Sequence, residues 1–291
     1  MTLASGSRAL LLINPYSRRG RIEGSRAREL LGASGIEVVE PSPEGGSLSD
    51  AIRAASNVDR VIVGGGDGSL NAAAAGLIST GLPLGVLPLG TANDFARTMG
   101  IPVDLPAAIE VIARGTLARV DLGVANDHPF FNVASIGFSA DLAAALSAEA
   151  KKRWGTLGYA IVAARLLRGS SLFTAMLDHD GTTEEFRTLQ VSVGNGRYYG
   201  GGMAVHHEAT AMDGKLDFYS LEVPHWWNLL RLLPALRKGT HGQWKEVRTF
   251  ATQELTVRTR QPRQVNLDGE LKTQTPVSFR ILEKAVQVYV P

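Results

Sequence analysis

Short apolar runs alternate with helical patterns along the first 120 residues of the chain. The runs that predict strands are Ala9–Ile13, Ile36–Val39, Val61–Val63 and Leu84–Leu87. Helices are predicted over Glu23–Leu31, over Leu48–Ala55, in the alanine-rich segment after residue 68 and from about Asn93. This alternation is typical of a mostly parallel sheet covered on both faces, in which ligands bind beyond the carboxyl ends of the strands. Those ends carry Asn14, Gly64–Gly68 and Gly90–Asp94.

The pattern changes after Asp121. Two helical patterns fall between Ser139 and Arg168, and another helix is predicted over Trp226–Leu236. The other apolar runs predict strands, at Phe173–Leu177, Phe186–Val193, Leu216–Val223, Glu254–Thr259, Val277–Leu282 and Val286–Val290. Asp180-Gly181 is a typical hairpin turn. The sequence therefore predicts a second, antiparallel β-rich domain.

Composition excludes several classes of protein. Of the 291 residues, 44% are hydrophobic and 20% charged, which is typical of globular proteins, and the net charge of +2 is too small to drive nucleic-acid binding. The absence of cysteine excludes disulfides, thiolate nucleophiles and zinc-thiolate sites. Ala9–Ile13 is too short for a secretory signal, and glycines and prolines interrupt the longest uncharged stretch, Gly68–Asn93. We therefore expect a soluble, cytoplasmic protein.

The strongest chemical signal is the glycine loop Gly64-Gly65-Gly66-Asp67-Gly68-Ser69, between a predicted strand and a predicted helix. Glycines let backbone N–H groups approach an anion, the helix N-terminus favours negative charge, and Ser69 is the expected N-cap. Asp67 would repel phosphates unless a divalent cation lay between them. The segment is neither a Walker A loop nor a dinucleotide fingerprint. The alternative is a tight strand-to-helix turn.

Two further motifs are less specific. Gly90–Arg97 follows the next strand, with Thr91 offering a hydroxyl and an amide at a helix start and Asp94 a carboxylate that could support the cation. Alone, it is an ordinary helix cap. Asn266–Glu270 is, alone, a polar hairpin turn.

Together these motifs resemble the bacterial YegS-type lipid kinases, within the diacylglycerol and sphingosine kinase superfamily. The resemblance covers nearly the whole chain. It rests on Asn14–Ser17, Gly64–Asn71, Pro88–Arg97, Asn132–Phe138, Gly194–Gly196, Gly200–Gly202, Asp213-Gly214 and Asn266–Glu270. Their order and spacing make the match specific.

The resemblance implies an ATP-binding α/β domain similar to NAD kinases and phosphofructokinases over residues 1–124, and a lipid-binding β-sandwich over residues 125–282. Residues 283–291 would return to the first domain. It identifies Glu270 as the base and Asp67 as its catalytic companion. The implied nucleotide-binding residues are Asn14, Gly65, Gly66, Asp67, Gly68, Ser69, Gly90 and Thr91. A magnesium site would use Thr210, Asp213 and Lys215, and Asp94 and Asp121 would form a water-mediated cation network with Asp67.

The resemblance thus implies an ATP- and Mg²⁺-dependent kinase of a lipid hydroxyl, of the diacylglycerol, phosphatidylglycerol or sphingoid type. Ala72, where the family usually has glutamate, bears on nucleotide affinity. Two alternatives remain: a kinase of a soluble alcohol, and a degenerate fold that binds nucleotide and regulates a partner. Lys151–Arg153 and Trp226-Trp227 flank apolar segments and suit contact with the inner face of a membrane, although helices that cover the second core would look the same. Oligomeric state leaves no mark in the sequence, and a homodimer stays open.

Overall fold

The computed structural model describes residues 7–41, 46–145, 171–196, 198–199, 203–204, 210–223 and 244–291. The predicted helix over Trp226–Leu236 and most of the helical pattern before Arg168 lie outside these residues. Within them, no helix combines the length and the apolar character needed to cross a membrane.

A parallel sheet with helices forms the first part of the chain. Its elements are β1 (Ser7–Ile13), α1 (Gly20–Ala33), β2 (Ile36–Val39), α2 (Leu48–Ala54), β3 (Arg60–Gly65), α3 (Asp67–Thr80), β4 (Leu84–Pro88), α4 (Asp94–Thr98) and α5 (Leu105–Arg114). The strands pair in the order β2-β1-β3-β4, all parallel. Because both faces are covered, β3 and β4 are buried throughout, as their continuous apolar runs predicted. Helix α5 was not predicted separately.

The second part is mostly antiparallel strand. Its elements are β5 (Thr116–Ala125), β6 (His128–Phe130), β7 (Val133–Gly137), α6 (Phe138–Ala145), β8 (Phe173–His179), β9 (Thr182–Thr188), β10 (Gln190–Gly194), β11 (Tyr198–Tyr199), β12 (Met203–Ala204), β13 (Leu216–Leu221), β14 (Val247–Thr252), β15 (Glu254–Thr259), β16 (Gln264–Leu267), β17 (Glu270–Gln274) and β18 (Val277–Val290). A sheet ordered β14-β13-β10-β7-β16-β17 packs against the β18-β15-β8-β9 strands across a shared apolar core. The predicted class, α/β followed by an antiparallel β domain, is confirmed.

One predicted strand, Phe186–Val193, is wrong. The chain breaks at Leu189, so that β9 pairs with β8 in one sheet and β10 pairs with β7 and β13 in the other. At the break, the buried Thr188 hydroxyl accepts from the Gln190 amide (3.1 Å) and lies within hydrogen-bond distance of the carbonyl oxygens of Gln190 (2.8 Å) and Leu221 (3.0 Å). The apolar run hides this change of layer because residues on both sides of it face the same core.

The last strand joins the two parts of the molecule. The sequence predicted separate strands at Val277–Leu282 and Val286–Val290, but they form one strand, β18, with a register shift between Leu282 and Val286. Its first half pairs antiparallel with β15. Its second half lies beside β4, where Val288 pairs in parallel with Leu84. The predicted domain boundary at residues 124 and 125 stays a prediction.

Candidate functional site

The two glycine-containing loops lie against each other at the carboxyl ends of β3 and β4. A Cβ atom on Gly90 would collide with the Cα atom of Gly66, and one on Gly65 would collide with the Ser69 hydroxyl. The amide of Gly90 donates to the carbonyl oxygen of Gly65 (3.1 Å), which fixes the contact. Glycine at position 90 therefore lets the two loops touch, and glycine at position 65 lets the first loop pack against its own Ser69.

Helix α3 begins differently from the sequence prediction. Its N-cap is Gly66, with no side-chain cap, and Ser69 is a buried residue inside the first turn. The Ser69 hydroxyl instead accepts a hydrogen bond from Asn14 Nδ2 (3.1 Å), which joins the end of β1 to the first turn of α3. The expected N-cap role of Ser69 is wrong. The first turn without a side-chain cap leaves backbone N–H groups that suit an anion.

The Asp67 carboxylate is tied to two neighbouring segments. It accepts hydrogen bonds from the amides of Asp94 (3.1 Å) and Phe95 (2.9 Å), at the start of α4, and from Asn132 Nδ2 (3.1 Å). The structure thus brings Asp67 and Asp94 together through the Asp94 backbone, while the water-mediated cation network expected between their carboxylates stays a prediction. The buried Asp94 carboxylate lies 3.8 Å from Arg97 Nη1. Thr91 is exposed on the turn between β4 and α4.

Glu270 reaches the same helix end from the other part of the chain. Asp268 and Gly269 both have positive φ, +49° and +97°, and form the turn between β16 and β17. Positive φ at both positions is the type I′ geometry that suits Asp-Gly in a two-residue hairpin. Glu270 Oε1 would lie 3.3 Å from a Cβ on Gly68, and Oε2 lies 2.6 Å from Lys272 Nζ. The two predicted catalytic residues therefore both lie at the N-terminus of α3, Asp67 as its first residue and Glu270 beside Gly68.

Asp268 has the most hydrogen-bonded side chain of this hairpin. Oδ1 accepts from the amides of Asn132 (2.9 Å) and Val133 (3.0 Å). Oδ2 accepts from the amide of Phe131 (2.7 Å) and from Asn71 Nδ2 (3.2 Å). Burial raises the pKa of Asp268 to about 6, although the three amides oppose the shift. The carboxyl is therefore mostly ionised at neutral pH.

Asp121 lies with the predicted magnesium residues of the second domain. Its carboxylate accepts from the amides of Gly214 (2.8 Å) and Lys284 (2.7 Å), and its own amide donates to the Ala211 carbonyl (2.8 Å). In the described ranges, it makes no hydrogen bond to Asp67 or Asp94. Asp121 thus holds the loop that bears Thr210, Asp213 and Lys215. Burial, together with the nearby Asp213 charge, raises the pKa of Asp217 to about 6 beside this loop.

The residues around Asp67 suit a cation that takes only some of its ligands from the protein and the rest from water and phosphate oxygens. The described ranges contain no group of three or more acidic or histidine side chains that could hold a metal. However, Asn132 Oδ1 is buried and has no hydrogen-bond partner there, while the other side of the same amide bonds Asp67. An amide oxygen beside a carboxylate suits Mg²⁺, which usually keeps several waters and phosphate oxygens as ligands.

Sequence analysis assigned no role to three residues of this region. Asn132 and Asn195 lie in matched motifs, and that match was the only signal. Asn195 Nδ2 donates to the carbonyl oxygens of Asp121 (2.8 Å) and Phe131 (2.9 Å), which connects the two candidate cation sites. Nothing in the sequence indicated that Lys272 forms an ion pair with Glu270. Ala72 is exposed on α3.

Comparisons with known proteins match nearly the whole chain. A model of the diacylglycerol kinase catalytic domain matches residues 8–125, and one of the YegS C-terminal NAD kinase beta sandwich-like domain matches residues 132–290. A diacylglycerol kinase of Mycobacterium tuberculosis is 34% identical, over 96% of this chain and 94% of that protein. An uncharacterized protein of Synechocystis is 28% identical over 79% of this chain, and the match spans 54% of that relative's length. The crystal structure of a diacylglycerol kinase from Bacillus anthracis shares the fold, with a TM-score of 0.80 at 24% identity and 99% coverage of each chain.

Proposed function

The chain belongs to the diacylglycerol kinase family of lipid kinases, and from this premise we propose that it transfers the γ-phosphate of ATP to a hydroxyl group of a lipid. The proposal rests on one observation above all. The Glu270 carboxylate stands beside Gly68 at the start of α3, where the glycine loop offers backbone amides to phosphate. Phosphoryl transfer to an alcohol needs a base close to a site that binds the phosphate, and this helix N-terminus offers both.

In the proposed reaction, the lipid hydroxyl oxygen attacks the γ-phosphorus and its proton passes to Glu270. The bond from the γ-phosphorus to the oxygen bridging the β-phosphate breaks, and ADP leaves. Glu270 accepts the proton late, because an alcohol is a very weak acid. Glycines 65, 66, 68 and 90 keep the two loops open to the phosphates, and Asn14 and Ser69 fix the loop ends. Thr91 is exposed beside them and is proposed as a nucleotide contact.

Asp67, Asp94 and Asn132 would hold Mg²⁺ at this site. The ion would supply neutralisation of the phosphate charge that builds up during transfer. The loop of Thr210, Asp213 and Lys215 is proposed as a second magnesium site, which Asp121 holds in shape through Gly214. Asp121 would therefore support this loop rather than ligate an ion at Asp67.

The lipid itself is proposed as diacylglycerol, phosphatidylglycerol or a sphingoid base, taken from a membrane surface. Lys151–Arg153 and Trp226-Trp227, the segments expected to contact the membrane, lie outside the described residues. A kinase of soluble alcohols is the alternative that a substrate panel must separate from this proposal.

The test is transfer of labelled phosphate from ATP to vesicles of each lipid and to soluble alcohols, with the wild-type protein, Glu270→Gln and Glu254→Gln. Glu254 is an exposed glutamate on β15 and provides the matched control. We expect Glu270→Gln to lower kcat by roughly 10²–10⁴, the usual contribution of a positioned base, with ATP affinity nearly unchanged. Glu254→Gln should behave as wild type. Transfer to soluble alcohols alone, or full turnover of Glu270→Gln, would contradict the proposal.

A further inference from the structure

The hairpin that carries Glu270 lies at the edge of its sheet. Strand β17 pairs only with β16 in the described ranges, and most of its residues are exposed. Glu270 itself is exposed, and its ion pair with Lys272 is a contact within the same strand. Neither feature fixes the distance from Glu270 to helix α3. The short approach of Glu270 to Gly68 therefore needs another cause.

Asp268 fastens the hairpin through its side-chain hydrogen bonds to α3 and to the 131–133 backbone, and we call this set of bonds the fastening. In the described part of the chain, the bond from Asn71 Nδ2 to Asp268 Oδ2 is the only hydrogen bond between the hairpin and α3. Asn71 is buried one turn after Gly68, and its amide also donates to the Pro129 carbonyl (3.0 Å). The backbone amide of Asp268 donates to the Val133 carbonyl oxygen (3.0 Å), and the Val133 amide donates to Asp268 Oδ1 (3.0 Å). The turn is thus held on two sides.

The chemistry of these contacts requires a carboxylate. All four donors are N–H groups, two on each oxygen. Asparagine would suit the backbone of the turn equally well, since it tolerates positive φ. However, its NH₂ group would face N–H donors and leave at least one of them unsatisfied, at a cost of about 1–3 kcal/mol. With two donors on each oxygen, uptake of a substrate proton by Asp268 would break at least one of these hydrogen bonds.

The 131–133 segment extends the fastening to the cation-binding aspartate. The backbone amide of Asn132 donates to Asp268, and the side-chain amide of Asn132 donates to Asp67. A single residue therefore connects the hairpin of the base with the carboxylate expected to hold Mg²⁺. Displacement of the hairpin would move Glu270 first, because Asp67 keeps two further bonds to α4.

We propose that Asp268 is a positioning residue, which keeps Glu270 at the N-terminus of α3 by fastening the hairpin to Asn71 and to the 131–133 backbone, and that it does not take the substrate proton itself. This inference rests on the proposed function. Misplacement of a catalytic group by about 1 Å costs on the order of 100-fold in rate. Loss of the fastening should therefore lower kcat and leave ATP binding nearly intact.

The experiment is a double-mutant cycle on the full chain with Asp268→Asn and Glu270→Gln. Asn71→Leu removes the hydrogen bond to Asp268 together with the one to the Pro129 carbonyl, and leaves the three backbone amide bonds of Asp268 in place. Ala75→Gln, an exposed change on the same helix, is the control. We expect Asp268→Asn to lower kcat by roughly 10–100-fold with the KM for ATP within about twofold, and Asn71→Leu by about tenfold. In the Glu270→Gln background, neither change should lower kcat further, because both act through Glu270.

The outcomes separate this inference from the function itself. Full activity of Glu270→Gln would overturn the proposed base. Loss of activity in Glu270→Gln with wild-type kcat in Asp268→Asn, or an additive double mutant, would overturn the positioning role alone. If Asp268→Asn does not fold, the cycle of Asn71→Leu with Glu270→Gln decides in the same way.

Discussion

The polar side chains at the carboxyl edge of the parallel sheet bond mainly to segments distant in sequence. Asp67 binds the start of α4 and Asn132, and Asp268 binds Asn71 and the 131–133 backbone. The residue types could be predicted from the motifs, because glycines around an aspartate indicate phosphate and cation. Their partners could not, because no local pattern says which amide a carboxylate will meet.

Asp67→Ala tests the cation assignment. The change leaves three N–H donors without their acceptor, so the free energy of unfolding should fall by about 1–3 kcal/mol. Phosphate transfer should be lost, together with the Mg²⁺ dependence of ATP binding, as measured by calorimetry with and without the ion.

Asp104→Ala is the matched control for this change. Asp104 caps α5 by accepting from the Ala107 amide (3.2 Å), and in the described ranges it makes no hydrogen bond to a site residue. Its loss should cost about 1 kcal/mol and leave the magnesium effect unchanged. Mg²⁺-dependent binding that survives in Asp67→Ala would refute the assignment.

The free energy of unfolding should vary with pH because the pKa of Asp268 is raised in the folded chain. The folded value is about 6 and the ordinary value 3.8, so between these pH values the folded chain binds more protons than the unfolded chain. The contribution to stability is full below about pH 4 and is lost as pH rises through about 6. The stability of wild type relative to Asp268→Asn should fall by about 1–3 kcal/mol from pH 4 to 7 in urea denaturation. A difference that rises with pH would mean that the four donors outweigh burial.

At the scale of elements, the predictable parts were those whose buried faces repeat along the sequence. The four parallel strands and α1 to α3 followed from their apolar runs. Three features could not be predicted in this way: strand β5, the change of sheet at Leu189, and the single long strand β18. Each depends on which sheet a strand joins, and the apolar pattern does not record that. The Asp-Gly hairpin before Glu270 was recognised as a turn, and the structure gives it both roles, a type I′ turn and the support of a site residue.

The packing of the two loops predicts different costs for two glycine substitutions. Gly90→Ala would drive a methyl group into the Gly66 backbone, so the loops must separate. We expect both lower stability and weaker ATP binding, measured by thermal unfolding with and without nucleotide. Gly32→Ala, inside α1 with no atom within 4 Å of the added Cβ, should be neutral or stabilising by up to about 1 kcal/mol. Equal stability and equal ATP binding of the two variants would show that the loops can separate at little cost.

At the scale of the whole molecule, β18 makes the two halves interdependent. In the described ranges, β5 reaches the parallel sheet only through β18, because β18 lies between β5 and β4 in the hydrogen-bonding pattern. Val286 and Val288 belong to the apolar core of the first half. The residues of the first family match, 8–125, thus form a complete sheet only with the last strand of the second.

A chain that ends at residue 125 should therefore not fold alone. Without β18, strand β4 becomes an edge and β5 loses its connection to the sheet. We expect low amide protection in hydrogen exchange and no cooperative thermal transition. Native-like protection of β1, β3 and β4 in this fragment would show that the parallel sheet is self-sufficient.

The position of β18 also affects how the protein is made. Leu84 leaves the ribosome about 200 residues before its neighbour Val288. At about 5–20 residues per second, the edge of β4 waits roughly 10–40 s for its partner. The glycine loops form on strands whose sheet is incomplete during that time. The newborn chain should therefore depend on chaperones until β18 has emerged, and a nonsense codon within β18 should be almost as harmful as one near residue 125.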